Sequence, residues 1–272
     1  MLKIFDRTDS FCQSLSWKRI STHSIRLLMT ILLPLGSTDA QMSLGEFNFE
    51  NGFDASNVAP GFEFTNIADF SSGVDVFLSA SSRCLFVTGW PDNEGSEAIS
   101  ADDYFGFTIT NNSNSPVLLT SMNYQLRRTT GRAPSLLQIR GSQSNDFSLE
   151  GAAILSNDSD VEGIDVPIND EFEEPLSLEI SGFVLQPDAS IQFRFYGYSG
   201  DNGFNPELLF DNISVMSVLL GDVNCDGAVD LLDIAPFIEA LQTGPFEPKA
   251  DMNQDGQVNL LDVGPFVDLL AG

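Results

Sequence analysis

Apolar and polar side chains alternate at every second residue through most of the chain, from about residue 45 to residue 218. The segments 105–110 and 191–196 show this alternation most clearly. Clusters of Asn, Ser, Asp and Gly separate such segments and are typical of turns. A period of two indicates strands that bury one face, so the pattern predicts a mainly β protein with an antiparallel β-sandwich of jelly-roll type over residues 41–220.

After residue 220 the period changes to that of a helix. Apolar residues occupy positions i, i+3, i+4 and i+7 in two segments that start 29 residues apart: Ile234, Phe237, Ile238 and Leu241, then Val263, Phe266, Val267 and Leu270. Pro236 and Pro265 occupy matching places near the start of each segment, where a missing N–H costs little. The pattern predicts two short amphipathic helices in a small module over residues 221–272.

The first 40 residues have the three-part layout of a secretory signal peptide. Basic residues are spread over residues 3–26, a short apolar run covers residues 27–35, and small side chains precede a cleavage point after Ala40. The apolar run is shorter than the roughly 20 residues of a membrane span. We therefore expect residues 1–40 to be removed on export, leaving a secreted or cell-surface protein without a membrane segment. Because the basic lead is long, an uncleaved anchor or a different start is the alternative.

The chain carries 12 Lys and Arg against 39 Asp and Glu, a formal charge of −27. Removal of residues 1–40 takes away five basic and three acidic side chains, which leaves a charge near −29. No basic stripe is present to displace counterions from phosphates, so nucleic acid is excluded as a direct partner, and anionic membranes are disfavoured. An extracellular polyanion of this kind is typically accompanied by divalent cations.

The only histidine, His23, lies in the predicted signal peptide. The mature chain would then contain no Ser–His or Cys–His nucleophile and no His-bound zinc or iron. Cys84 and Cys225 would remain, which is too few for a disulfide scaffold, and their separation in sequence argues against their pairing.

The same twelve-residue loop precedes each predicted helix, at residues 222–233 and 251–262. Oxygen-bearing side chains occupy positions 1, 3, 5, 9 and 12, and glycine occupies position 6, which is the spacing with which a loop wraps a hard cation. Position 7 would contribute a backbone carbonyl. The predicted ligands are Asp222, Asn224, Asp226, Ala228, Asp230 and Asp233 in the first loop, and Asp251, Asn253, Asp255, Gln257, Asn259 and Asp262 in the second.

Calcium is the preferred ion for these loops because it accepts six to eight oxygens in flexible geometry. Two carboxylates about 4 Å apart repel by roughly 1 kcal/mol in water and about 4 kcal/mol at an intermediate dielectric. Each loop gathers three or four carboxylates. We therefore predict two calcium ions, one in each loop, and expect the loops not to close without them.

Paired Asp-x-Asn-x-Asp-Gly loops, each followed by one helix and ending in Asp, resemble a type I dockerin over residues 221–272. The resemblance implies a module that folds around two calcium ions and docks onto cohesin modules of scaffolding or surface proteins. The family commonly has a small polar pair at loop positions 10 and 11, where this chain has Leu231-Leu232 and Leu260-Leu261. These four leucines form an apolar docking surface for a cohesin-like or other cell-surface protein, or they are buried against the sandwich or against Phe246.

The sandwich segment resembles jelly-roll modules of secreted bacterial proteins that carry cell-surface sorting signals. The resemblance rests on residues 104–108, Arg127-Arg128 with Gly131 and Pro134, residues 193–198 and residues 209–213. It implies a fold and an extracellular location, and it implies no activity.

Two functions compete for the sandwich. As a glycan-binding module it would use Trp90, because sugars stack on exposed aromatic rings, although ordinary packing is the alternative for this ring. As a glycoside hydrolase it would need two carboxylates about 5–10 Å apart, and the acidic clusters at residues 94–103 and 170–174 are the candidates. We predict a non-catalytic, calcium-binding docking protein, with polysaccharide breakdown and a purely structural surface role as the alternatives.

Overall fold

The computed structural model of the 272-residue chain describes residues 41–50, 52–67, 69–71, 74–78, 83–90, 102–128, 133–147, 153–154, 164–165, 172, 174–180, 183–198, 207–243 and 246–271. The predicted signal peptide lies outside these ranges. Contacts divide the chain into two units, one of Met42–Ser217 and one that contains Val218–Gly272. From sequence we placed this boundary three residues later, after residue 220.

The first unit is built from strands that pair antiparallel in two sheets. Within the described ranges the strands are β1 (Met42–Phe47), β2 (Phe62–Phe64), β3 (Asp69–Phe70), β4 (Asp75–Leu78), β5 (Leu85–Thr88), β6 (Phe105–Asn111), β7 (Val117–Arg128), β8 (Leu136–Ser142), β9 (Ala153–Ile154), β10 (Ile164–Asp165), β11 (Leu176–Glu179), β12 (Val184–Leu185), β13 (Ser190–Tyr198) and β14 (Leu208–Leu219). One sheet has the order β11-β7-β14-β5-β4, with β1 beside β14 and β12 beside β7. The other has the order β10-β8-β13-β6-β2, with β3 beside β6 and β9 beside β8.

The two-residue period of the sequence corresponds to the side chains that face the core. In the pairing of β13 with β6, Phe193 lies opposite Phe107 and Phe195 lies opposite Phe105. All four rings are buried. The prediction of an antiparallel sandwich followed by a small helical paired-loop module is confirmed.

Three phenylalanines join the two sheets across the core. The rings of Phe105 and Phe195 stack with centroids 4.6 Å apart, and both come from the second sheet. Phe210 of β14, in the first sheet, meets Phe105 edge-on at 4.8 Å and Phe195 edge-on at 5.8 Å. Aromatic pairs in such geometry add to the free energy of burial, so this trio is a main contact between the sheets.

The second unit contains a 3₁₀ turn, Leu231–Asp233, followed by helix α1 (Ile234–Thr243) and, after the second loop, helix α2 (Val263–Ala271). The helices meet through Phe237 and Phe266, whose buried rings stack with centroids 4.0 Å apart. Ile238 and Val267, which the spacing places on the same apolar faces, are exposed because two short helices bury little more than one side chain each. Among the described residues, no helix has both the length and the apolarity needed to cross a bilayer.

Gly221 connects the end of β14 to the first loop. Its φ is +91°, a conformation that residues with a side chain rarely adopt. A Cβ atom here would come within 2.8 Å of Leu269 Cδ2 and 3.2 Å of Val229 Cγ1. The Gly221 amide donates to the carbonyl of Lys249 at 3.0 Å. The module therefore brings its first residue against its last helix, and only glycine fits without strain.

Removing one ring of the aromatic trio tests its contribution to the sandwich. Phe195→Ala is expected to lower the free energy of unfolding by about 3–5 kcal/mol, because it leaves a cavity in a packed core. The control is Phe77→Ala, since Phe77 is 54% exposed and its loss should cost about 0.5 kcal/mol or less. Urea unfolding of the chain without residues 1–40, followed by the fluorescence of Trp90, measures both. Equal effects of the two substitutions would contradict the role of the trio.

Candidate metal centre

Asp222, at the first position of the first loop, holds the middle of that loop. Its Oδ1 accepts a hydrogen bond from the amide of Asp226 at 3.1 Å, and its Oδ2 accepts one from the amide of Gly227 at 2.9 Å. Gly227 has a φ of +89°, as the sharp turn at position 6 requires. One carboxylate therefore folds the loop back over its own beginning.

Asp233, at position 12, holds both the beginning and the end of the loop. Its Oδ1 accepts from the amide of Asn224 at 2.9 Å, and its Oδ2 accepts from the amide of Asp230 at 2.9 Å. The Asp230 side chain in turn accepts from the amide of Leu232 at 2.7 Å, which completes a capping box at the start of the helical segment. Positions 1 and 12 are thus linked through the backbone that lies between them.

The second loop repeats this network bond for bond. Asp251 accepts from the amides of Asp255 (3.1 Å) and Gly256 (2.9 Å), and Asp262 accepts from the amides of Asn253 (3.0 Å) and Asn259 (2.8 Å). The agreement shows that the sequence repeat is also a structural repeat.

Two features of the loops were not predicted from sequence. Position 4 has a positive φ in both copies, 63° at Cys225 and 60° at Gln254, although neither residue is glycine. The side chains at position 5 also fold onto the loop, because Asp226 Oδ1 accepts from the Ala228 amide and Asp255 Oδ1 accepts from the Gln257 amide, each at 3.0 Å. The Asp-Gly pair at positions 5 and 6 is the only sequence signal for this local turn.

Burial makes the loop carboxylates costly without a cation. Asp222, Asp233, Asp251 and Asp262 are all buried. Burial raises the pKa of the Asp222 carboxyl above its ordinary value, and the charge of Asp233 adds to the rise. Hydrogen bonds from two loop amides and the charge of Lys249 oppose it.

Lys249 lies between the two loops in sequence and is buried. Its Nζ donates to Sγ of Cys225 at 2.6 Å. It is the only basic residue after residue 220, against ten acidic residues. One internal ammonium group therefore cannot balance the loops, and sequence reasoning did not identify it.

The donor set of the loops fits calcium. Among the described residues, no three His, Cys, Asp or Glu side chains converge by themselves as a metal site. The predicted set also uses amide oxygens of Asn224, Asn253 and Asn259 and the backbone carbonyls of Ala228 and Gln257. Oxygen ligands of mixed type, on a loop closed at both ends, suit a hard cation with flexible geometry.

Two leucine pairs stand beside the loops. Leu231 and Leu232 are 75% and 66% exposed, and Leu260 and Leu261 are 81% and 66% exposed. Phe246 is exposed as well. Within the second unit the four leucines are therefore not buried, and they leave an exposed apolar surface.

The structure contradicts the prediction that Trp90 is a glycan platform. The side chain is 5% exposed, and its Nε1 donates to the carbonyl of Val87 at 3.0 Å. Its ring meets Phe105 edge-on at 6.2 Å, and a Cβ atom at Gly197 would lie 2.9 Å from it. Trp90 follows the end of β5, and its ring packs into the interior of the sandwich against Phe105 and Gly197. All four tyrosines of the chain are buried too.

The acidic clusters of the hydrolase alternative are only partly described. Asp102 forms an ion pair with Arg194 at 2.6 Å, and Asp103 accepts from the hydroxyl of Ser71 at 3.2 Å. Arg194 is held between the rings of Tyr104 and Phe147, at 3.8 and 3.9 Å from their centroids. Residues 94–101, and 170–174 apart from Phe172 and Glu174, lie outside the described residues.

Comparison with known families identifies the C-terminal module. Residues 220–264 match the family model of the dockerin type I domain. The resemblance of this module to type I dockerins is confirmed, and domains of that family bind calcium. The match covers both loops and the first helix, and it leaves out most of α2 and the sandwich. No curated protein matches the sequence.

Three solved structures illustrate the similarity of the sandwich. The xylanase 10B CBM22-1-GH10 modules of Clostridium thermocellum align at 11% identity and a TM-score of 0.36 over 64% of this chain, which spans 28% of that chain. The family 11 carbohydrate-binding module of a C. thermocellum cellulosomal cellulase aligns at 9% identity and 0.32 over 66% of this chain and 95% of that one. The K3 adhesin domain of Lys-gingipain from Porphyromonas gingivalis W83 aligns at 11% and 0.33 over 64% and 99%. Similarity at this level says nothing about ligand or activity.

Two glycines of the second repeat provide a matched test of the loop geometry. A Cβ atom at Gly256 or at Gly264 would meet nothing within 4 Å. Gly256 has a φ of +83°, so Gly256→Ala should destabilise the closed loop by about 1–2 kcal/mol. Gly264 lies within α2, so Gly264→Ala should stabilise the helix by up to about 1 kcal/mol.

Thermal unfolding in calcium, followed by helical circular dichroism, should therefore shift in opposite directions for the two variants. Shifts of the same sign would contradict the loop geometry.

Proposed function

We propose that this protein is a secreted, non-catalytic calcium-binding protein whose C-terminal module docks the β-sandwich to an extracellular or cell-surface partner. The observation that carries the proposal is the duplicated loop network, in which carboxylates at positions 1 and 12 are buried and bonded to the loop backbone. Burying this many carboxylates in one network is costly unless a bound cation compensates their charge.

Each loop would hold one calcium ion through the residues that the sequence predicts, so the module would bind two. One buried lysine carries too little positive charge for both loops, and bound calcium would supply the rest. The side chains at positions 1 and 12 orient the loop, and those at positions 3, 5 and 9 complete the oxygen set. Aspartate at position 12 is shorter than the usual glutamate, which favours sites suited to millimolar extracellular calcium.

The docking surface would be the two leucine pairs, Leu231-Leu232 and Leu260-Leu261. They are the most exposed large apolar side chains of the described residues. Because the one basic residue of the module is buried and ten acidic residues surround the leucines in sequence, a complementary partner has an apolar patch with a basic rim. A cohesin-like module or another cell-surface protein of that chemistry fits this surface.

Removal of the position-1 carboxylates tests the calcium proposal. Isothermal calorimetry should give two calcium ions for the wild-type chain, one for Asp222→Ala or Asp251→Ala, and none for the double variant, because each loop loses the residue that closes it. Asp268→Ala removes an exposed carboxylate of α2 outside the loops and should still bind two ions. Binding of two calcium ions by the double variant would contradict the proposed calcium sites.

Docking is tested with leucine variants. Immobilised protein should retain a specific cell-surface protein in calcium and release it on chelation. The variant with serine at residues 231, 232, 260 and 261 should lose at least about tenfold in affinity, since burial of four leucines contributes well over 1.4 kcal/mol. The control is Leu176→Ser, an exposed leucine of β11. Retention by the quadruple variant with unchanged affinity would place the docking surface elsewhere.

A further inference from the structure

Each loop contains an Asp-Gly bond at positions 5 and 6, and these two bonds are the only Asp-Gly pairs in the chain. Asp-Gly is the pair most prone to spontaneous isomerisation, because glycine has no side chain to hinder ring closure. The glycine nitrogen attacks the aspartate γ-carbon, a C–N bond forms, the C–OH bond breaks and water leaves. Water then opens the five-membered imide at either carbonyl, giving aspartate or isoaspartate without any oxidant.

In the closed loop, both reacting groups take part in hydrogen bonds. The nucleophilic nitrogen of Gly227 donates to Asp222 Oδ2 at 2.9 Å. The carboxylate of Asp226 accepts from the Ala228 amide at 3.0 Å and from Asn224 Nδ2 at 2.9 Å, so both of its oxygens are engaged in hydrogen bonds within the loop. These three hydrogen bonds restrain the two groups that must meet before the ring forms.

The second loop holds the equivalent groups in the same way. Gly256 donates to Asp251 at 2.9 Å, and Asp255 accepts from Gln257 at 3.0 Å and from Asn253 at 3.1 Å. Both Asp-Gly bonds are exposed on the surface, so water can open the imide once it has formed.

We infer that Asp226 and Asp255 are isoaspartate-forming modification sites that calcium protects by keeping the loops closed. This inference rests on the proposed calcium binding. An isoaspartate places an extra backbone atom between positions 5 and 6 and shortens the side chain, so the affected loop cannot bring positions 1 and 12 together again. A period without calcium would thus inactivate the module irreversibly.

The experiment ages the full chain at physiological temperature and pH in millimolar calcium and in excess chelator. Isoaspartate at residues 226 and 255 is measured by peptide mass spectrometry. If calcium is present at ten times its dissociation constant, both sites should form isoaspartate about tenfold more slowly than in chelator. The Asn51-Gly52 and Asn202-Gly203 pairs, which lack the loop motif, serve as internal controls and should deamidate equally in both arms.

The double variant Asp222→Ala, Asp251→Ala separates loop closure from a direct effect of the ion. In calcium it should form isoaspartate as fast as the wild-type chain does in chelator. Equal rates for the wild-type chain in both arms, with calcium binding seen by calorimetry, would overturn the inference and leave the proposed function standing. Absence of calcium binding in calorimetry would remove the proposed function and this inference together.

Discussion

The buried carboxylates at positions 1 and 12 of each loop are the constraint on which the C-terminal module depends. Each of these carboxylates accepts hydrogen bonds from two backbone amides. The contacts that close the loop are therefore made by its buried negative charges. At Asp222, hydrogen bonds from two amides and the charge of Lys249 oppose the rise in pKa that burial causes. In the proposed function, bound calcium supplies the remaining positive charge.

The two units gain their stability by different means. The sandwich has a continuous apolar core in which Phe105, Phe195 and Phe210 join the sheets. The helical module has little comparable interior, since Phe237 and Phe266 are the main contact between its helices. A unit of this size with so small a core needs another source of free energy. In the proposed function, calcium bound in the two loops is that source.

Much of this architecture was predictable from local patterns. The alternation around Phe193 and the 29-residue repeat around Phe237 and Phe266 determined strands, helices and loops, because period and spacing are properties of neighbouring residues. Trp90 was predicted wrongly because its inward orientation depends on Phe105 and Gly197, which are distant in sequence. The burial of Lys249 was missed for the same reason. Exposure is decided by tertiary packing, and no spacing rule reports it.

Gly221 determines where this module would have to be cut if it were moved to another protein. Its contact with Leu269 and its bond to Lys249 tie the entry of the module to its final helix. A graft that began at Asp222, the first predicted ligand, would therefore discard a position that only glycine occupies without strain. A transferable module therefore has to start at or before Gly221 and extend through Leu269. The fusion point to the new protein lies on the N-terminal side of Gly221.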